Sequence, residues 1–278
     1  MISFTASKTE YITKLLTHEG VPFSVINKLL RKKDIKINGK RINKNIKVNV
    51  GDQIVAYAEP PKRYEVVFED DNVIIINKSI GIAAVGENSV ESMLKENNSH
   101  ITACHRIDTN TAGLMLFSKT SGAFNEIYNA FKQGLVNKYY LGIVAGTPKE
   151  NSATLSAYLK KDAENSIVSI SKTQEPDSKP ITTKYEVLTS LNDISVLKIE
   201  IITGRTHQIR AHLAYVGHPI LGDNKYGDRT LNQKYHVHKQ CLCAYKLKFN
   251  FNGILKYLND KTFEMKPYFA DILEGLTF

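Results

Sequence analysis

The sequence predicts an α+β protein in two parts, a small N-terminal domain over residues 1–60 and a larger domain over residues 61–278. Strand-like segments outnumber helical ones and do not alternate with them regularly, which separates this pattern from a repeated β-α-β chain. Charge is also divided unevenly: of a net +9, residues 1–63 hold 13 Lys and Arg against 5 Asp and Glu, and the rest hold 24 against 23. A chain of 278 residues exceeds what one core commonly supports. With 42% hydrophobic and 23% charged residues it is ordinary globular material, which excludes wholesale disorder and fibrous architecture.

Apolar residues recur three or four apart from Tyr11 to Leu16 and from Val25 to Leu30, with Ser24 positioned as an N-cap, and two short helices follow. Ile35 and Ile37 then alternate with polar residues before Asn38-Gly39, a dipeptide suited to a two-residue hairpin turn. The alternating stretch IKVNVGDQIVAYA turns at Gly51-Asp52 and closes a small sheet. Between Lys28 and Lys47 nine basic residues face one acid, a composition that suits a polyanion-binding surface better than a merely solvated face. Pro60-Pro61 with Lys62-Arg63 reads as a linker, because consecutive prolines forbid regular hydrogen bonding.

From Tyr64 onward, YEVVFEDDNVIIINK gives two strands around Asp70-Asp71-Asn72, and YYLGIVAG, YEVLTS and SVLKIEII are further strands. Helical spacing falls at Ser121 to Phe131 and Thr206 to Val216. No internal repeat or low-complexity tract interrupts this order. Cys104, Cys241 and Cys243 form no even disulfide framework, and no run approaches the ~18 apolar residues of a membrane span. A soluble cytoplasmic protein with no membrane partner is expected. His207 and His212 lie five apart and His236 and His238 two apart, whereas zinc-binding helices place ligands four apart, so no metal site is expected.

The segments ITKLL, SVINKLLRKK, INGKRI and VGDQI resemble the RNA-binding domain named after the fourth small-subunit ribosomal protein. That resemblance implies that Lys28, Arg31, Lys32, Lys33, Lys36, Lys40 and Arg41 lie on RNA phosphates, where contacts give affinity without sequence choice. A basic hairpin serving some other partner is the alternative.

His105, Arg106 and Asp108 form a polar cluster before a Thr-Asn-Thr-Ala-Gly turn and the apolar run LMLF, a way to present a carboxylate rigidly. Taken alone, that cluster could equally be an exposed loop with a salt-bridged aspartate. Two further segments bear on it. In NKYYLGIVAG, Lys138 and Tyr140 stand two apart and point to the same side of a strand. In TGRTHQIRAHLAYVGHPILGDNKYG, Gly204 suits a sharp turn, Arg205 to His212 start a helix, and Gly217 to Gly222 end it.

Together these segments, over roughly residues 64–250, resemble the RluA-type pseudouridine synthases, with their HRLD, K-x-Y, GRTHQIR-x-H and GHPI-x-GD pattern. The resemblance implies a catalytic domain built on a mixed, mainly antiparallel sheet with flanking helices, which isomerises uridine to pseudouridine. It makes Asp108 the essential carboxylate, Tyr140 the aromatic packed on the target base and Arg210 the cation paired with the aspartate. Arg106 would fill the gap left by the extruded nucleotide and Ile209 would lie under the base, with His105, Arg205 and His207 as further substrate-binding residues.

The implied partner is structured RNA, large-subunit ribosomal RNA rather than transfer RNA, with no DNA, and a monomer is expected. No cofactor is implied, since the ribose-to-nitrogen bond is exchanged for a ribose-to-carbon bond without net oxidation or hydrolysis. The carboxylate acts either by covalent attack or by electrostatic support with proton transfer at the 2′ position. A non-catalytic RNA-binding or ribosome-assembly factor retaining the fold is the competing reading. The chain departs from the pattern at Ser79-Ile80, where a proline is usual, and at Leu242-Cys243-Ala244 in place of LHA.

Overall fold

The computed structural model describes residues 1–21, 23–58, 62–162 and 164–274. The expected linker prolines Pro60-Pro61 lie outside these. Contacts divide the chain into Met1–Lys62 and Arg63–Phe278.

In the first unit the chain runs β1 (Ile2–Thr5), β2 (Glu10–Tyr11), α1 (Ile12–His18), α2 (Phe23–Lys32), β3 (Ile35–Ile37), β4 (Lys40–Ile42), β5 (Lys47–Val48) and β6 (Gln53–Ala56). Helix α2 begins at Phe23, so Ser24 stands inside the helix and not at the expected N-cap; its side chain lies outside the described residues. Ile26, Leu29 and Leu30 turn inward onto Ile12, Leu16, Ile35 and Ile54, leaving Lys28, Arg31 and Lys32 exposed on the other side. Asn38 and Gly39 both take positive φ, 48° and 78°, and join β3 to β4 in the expected tight hairpin.

The second expected turn has a different outcome. Strands β5 and β6 do not pair with each other: β6 enters the middle of a sheet ordered β1-β6-β3-β4, and β5 pairs with β2. The Asp52 carboxylate accepts from the Asn38 side chain at 2.7 Å and the Asn49 amide at 2.8 Å, which ties the Gly51 turn to the first hairpin. Strand β1, four residues paired with a partner some fifty residues away, has no local signature and went unread.

The second unit contains β7 (Tyr64–Glu69), β8 (Val73–Lys78), α3 (Val90–Asn97), β9 (Thr102–Ala103), β10 (Ala112–Ser118), α4 (Ser121–Lys132) and β11 (Val136–Ala145). There follow β12 (Ser152–Asp162), β13 (Ile167–Ser171), β14 (Lys179–Leu191), β15 (Ile194–Ile201), α5 (Gln208–Tyr215), α6 (Arg229–Lys234), β16 (Leu242–Phe249), β17 (Phe263–Glu264) and α7 (Ala270–Glu274). One mixed sheet is ordered β13-β12-β14-β15-β11-β16-β10-β8-β7, with β9 on β10 and β17 on β16. Among the described strands only the β10·β16 pair is parallel. There Gly113, at φ 123°, lies so close that a Cβ would collide with the Ala244 backbone.

The central strands are buried on both faces, so they read as unbroken apolar runs. Val73, Ile75, Leu114 and Leu116 face Ala123, Ile127 and Ala130 of α4. Ile74, Ile76, Met115 and Phe117 face the opposite way, into the core that holds Leu94 of α3, Tyr140 of β11 and Ile209 and Leu213 of α5. Among the described residues no helix is long and apolar enough to cross a membrane.

Candidate active site

Asp108 sits in the loop between β9 and β10, and that loop is tied down from several directions. The Thr111 amide donates to the Asp108 carbonyl at 3.0 Å, the Gly81 amide to the Thr109 carbonyl at 2.8 Å, and the Gln240 side chain to the Thr111 hydroxyl at 2.8 Å. Lys78 at the end of β8 is wholly buried and donates to the carbonyls of Ser79, Ile82 and Thr109 at 2.9, 2.8 and 3.1 Å. Burial pushes its ammonium down to about 7, while the nearby charge of Asp108 works the other way. Lys78 thus laces the loop carrying Asp108 to the loop after β8, although the chain lacks the proline usual there.

Arg210 arrives from the first turn of α5. Its Nη1 donates to Asp108 Oδ2 at 3.1 Å, while Nε and Nη2 grip Asp223 Oδ2 and Oδ1 at 2.6 and 3.0 Å. Asp223 has no side-chain exposure, and its Oδ1 also accepts the Lys225 and Tyr226 amides at 2.8 and 3.1 Å. Burial raises the Asp223 carboxyl, and the Arg210 hydrogen bonds and charge outweigh it to leave a net lowering. Burial likewise works against the Arg210 charge, yet bonding to Asp223 and the charges of Asp223 and Asp108 raise its pKa overall. The Tyr226 ring completes the socket 5.2 Å from the guanidinium carbon. Three of the five guanidinium donors are therefore fixed, and one of those reaches Asp108.

The helix expected from Thr206 begins at Gln208, because His207 takes a left-handed conformation at φ 53° just before it. The strained backbone position is thus His207, whereas Gly204 keeps an ordinary φ. Gln208 holds this bend: its Oε1 accepts the Thr203 hydroxyl and the Arg205 amide at 2.9 and 3.1 Å, and its Nε2 donates to Thr183 Oγ1 at 3.1 Å. His207 Nδ1 lies 3.0 Å from the Tyr226 hydroxyl, and His212 Nδ1 lies 3.0 Å from Thr183 Oγ1. The two histidines engage separate partners and do not converge.

The resulting cleft, about 360 Å³, is lined by Asp108, Tyr140 and Arg210 together with Arg106, Ile209 and the other predicted residues His105, Arg205 and His207. Arg106 and Arg205 are exposed at it, while Ile209 is buried. Tyr140 is 5% exposed, and burial, then the charge of Asp108, raise its phenol well above the ordinary value. The phenol therefore stays neutral and offers a ring face, not a base. His105 is held neutral: burial, then the Lys138 charge, push it to about 3, and its Nε2 accepts the Leu116 amide at 3.0 Å. A carboxylate kept near a fixed cation, facing an aromatic ring in a partly dry cleft, can act on the sugar of a base packed on that ring.

The residues expected on RNA phosphates are placed as follows. Lys28, Arg31, Lys32, Lys33, Lys40 and Arg41 are exposed and Lys36 is half-buried. Arg41 pairs with Asp34 at 3.2 Å, and Arg41 and Lys36 lie 5.6 and 5.2 Å from the Tyr57 ring centre. Lys78, Gln208, Asp223 and Tyr226 escaped the sequence reading as site residues. Gln208 and Asp223 did carry a signal, since they stand inside the GRTHQIR and GHPI-x-GD segments, and Gly222 before Asp223 takes φ 76° where a Cβ would collide with the Lys239 carbonyl.

Residues 72–215 match the family model described as RNA pseudouridylate synthase. A ribosomal large subunit pseudouridine synthase C of Rickettsia bellii is 34% identical over 237 residues, covering 74% of this chain and 78% of that protein. The protein of the same name from Vibrio parahaemolyticus is 31% identical over 239 residues, covering 77% and 75%. Among solved structures, human RNA pseudouridylate synthase domain containing 4 superposes with a TM-score of 0.62 at 22% identity, covering 76% of this chain and 92% of its own, which speaks to the fold.

Proposed function

The chain belongs to the RNA pseudouridylate synthase family, and from that premise we propose that it isomerises uridines of large-subunit ribosomal RNA with Asp108 as the catalytic carboxylate. The observation that carries the assignment is the 3.1 Å Asp108–Arg210 pair in a cleft shared with Tyr140. Ribosomal RNA as the substrate rests on the names of the relatives.

In the reaction the bond from ribose C1′ to uracil N1 breaks, the ring turns, and C1′ bonds to C5. The C5 proton is released and N1 ends with a proton, so nothing is oxidised or hydrolysed. Two routes are open to the Asp108 carboxylate, attack on C1′ or removal of the 2′ proton, and Arg210 holds a fixed positive charge 3.1 Å from it. Extruding the uridine costs a few kcal/mol, which stacking on Tyr140 and insertion of Arg106 into the vacated space offset. Ile209 forms the apolar floor, and His207 and Arg205 border the entrance.

The first unit is an RNA-binding module of the small-subunit ribosomal protein type, its exposed lysines and arginines on phosphates. The protein works as a cytoplasmic monomer. The test maps pseudouridines chemically in RNA from cells with and without this gene, then restores wild-type or Asp108→Asn protein. Wild type restores the missing sites and Asp108→Asn restores none; equal restoration by both would remove Asp108 from the chemistry.

A further inference from the structure

Lys138 is the one cation deep in the cleft for which the chemistry above has no use. It stands on β11 two residues before Tyr140, about 6–7 Å along the strand on the same face, and it lines the cleft. Its Nζ lies 4.8 Å from the Phe131 ring centre. Among the described residues it has no carboxylate partner: Asp108 is the single acid lining the cleft and is taken by Arg210, which Asp223 holds from behind. Burial depresses the ammonium to about 8, so it is still mainly charged near neutrality. An unpaired, half-buried charge is unfavourable unless something else meets it.

Its surroundings favour an anion. His105 packs against the same Phe131 ring at 5.5 Å. Because His105 Nε2 accepts the Leu116 amide, Nδ1 carries the proton, and among the described residues it is the one buried side-chain nitrogen or oxygen without a partner. Beside Phe131 there are therefore an ammonium without a carboxylate partner and a buried N–H without an acceptor, among the described residues. Arg106 and Arg205 add two further cations to the cleft, exposed and without a carboxylate partner among the described residues. A flipped nucleotide stacked on Tyr140 carries its own phosphodiesters within one nucleotide's reach of the ring, the distance at which Lys138 stands along β11.

We propose that Lys138, in the corner formed with His105 and Phe131, is the subsite for a phosphodiester flanking the flipped uridine. This assignment rests on the family reading of the cleft. It makes Lys138 a binding residue that holds the nucleotide in register on Tyr140. No bond is made or broken at it.

The test measures affinity in the Asp108→Asn background, so that binding is read without turnover, using an RNA hairpin excised around a mapped target uridine. Lys138→Met should weaken binding roughly 10-fold or more and lower the slope of log affinity against log salt by about 0.7–1. Lys138→Arg should retain most of the affinity. A neutral methylphosphonate at the flanking linkage should weaken binding by the protein that retains Lys138 as much as Lys138→Met weakens binding of unmodified RNA, with little further loss when the two are combined. In the active protein Lys138→Met should raise KM with the saturated single-turnover rate within about threefold. Additive losses, or a fall in single-turnover rate at unchanged affinity, would overturn the phosphate assignment. Absence of any pseudouridine from wild-type protein would instead overturn the enzymatic reading and leave the binding measurement standing.

Discussion

Two charged regions of this molecule are built on opposite principles. At Arg210 the cation is met by Asp223 behind it and Asp108 in front, and the Arg210–Asp223 pair is nearly inaccessible, with 6% side-chain exposure for Arg210 and none for Asp223. On the first unit, Lys28, Lys32 and Lys33 stand in solvent, and nine basic residues share one acid. A buried charge can aim at an atom only if it is held on several sides, and its removal leaves its partner stranded. An exposed unpaired charge aims at nothing, yet it can release counterions along a polyanion. On the proposed reading, chemistry resides in the first arrangement and RNA affinity in the second.

The largest effect should come from breaking the compensated site. Arg210→Met leaves Asp223 as a buried, unpaired carboxylate, and denaturant melts should show the second unit losing about 3–5 kcal/mol while pseudouridine formation becomes undetectable. Normal turnover would mean that Asp108 needs no fixed cation. Asp223→Asn sharpens the point, since it keeps the shape and loses the charge. A loss of about 1–3 kcal/mol is expected, together with a reduced single-turnover rate and little change in RNA affinity. If affinity fell and the rate held, Arg210 would be a phosphate contact.

Acid should weaken the second unit through its buried histidines. Burial pushes His212 to about 4, below the ordinary 6.5 that the unfolded chain retains. The unfolded state therefore binds the extra proton first, so the stability is present above pH 6.5 and is lost as pH falls toward 4. His212→Asn can keep the Thr183 hydrogen bond without titrating, and its melts should lose about 2 kcal/mol less than wild type between pH 7 and pH 4. Parallel curves would refute the assignment.

The smallest effect tests the exposed region. Lys33 follows the last residue of α2 and takes φ 57°, a conformation in which glycine is preferred. Lys33→Gly should raise the stability of the first unit by up to about 1 kcal/mol and weaken RNA binding with a shallower salt dependence. Unchanged binding would mean that Lys33 is not part of the contact surface.

Much of the fold was legible where its cause was local. The Asn38-Gly39 hairpin was readable because the dipeptide itself prefers positive φ, and the apolar runs of β8 and β10 were readable because both their faces are covered. The pairing of β6 between β1 and β3 was not, since it depends on strands brought from both directions along the chain. In the site, Asp108, Tyr140 and Arg210 were picked out through resemblance to a motif. Lys78 escaped because it lies at the end of an apolar strand and speaks only through three carbonyls supplied by two loops.

The sequence by itself determined that the chain is α+β and that its basic charge belongs to the first quarter, and it marked three short segments as candidates for the chemistry. The first two follow from periodicity and composition, which are local, and the segments follow from residue patterns that resemble a family's motifs. Only the tertiary structure decided that Arg210 is held by Asp223 before it reaches Asp108, that His207 and not Gly204 takes the left-handed bend, and that Lys138 has no carboxylate partner among the described residues. Those facts concern which groups remain unsatisfied after everything else has found a partner, and that is settled only when distant segments have packed.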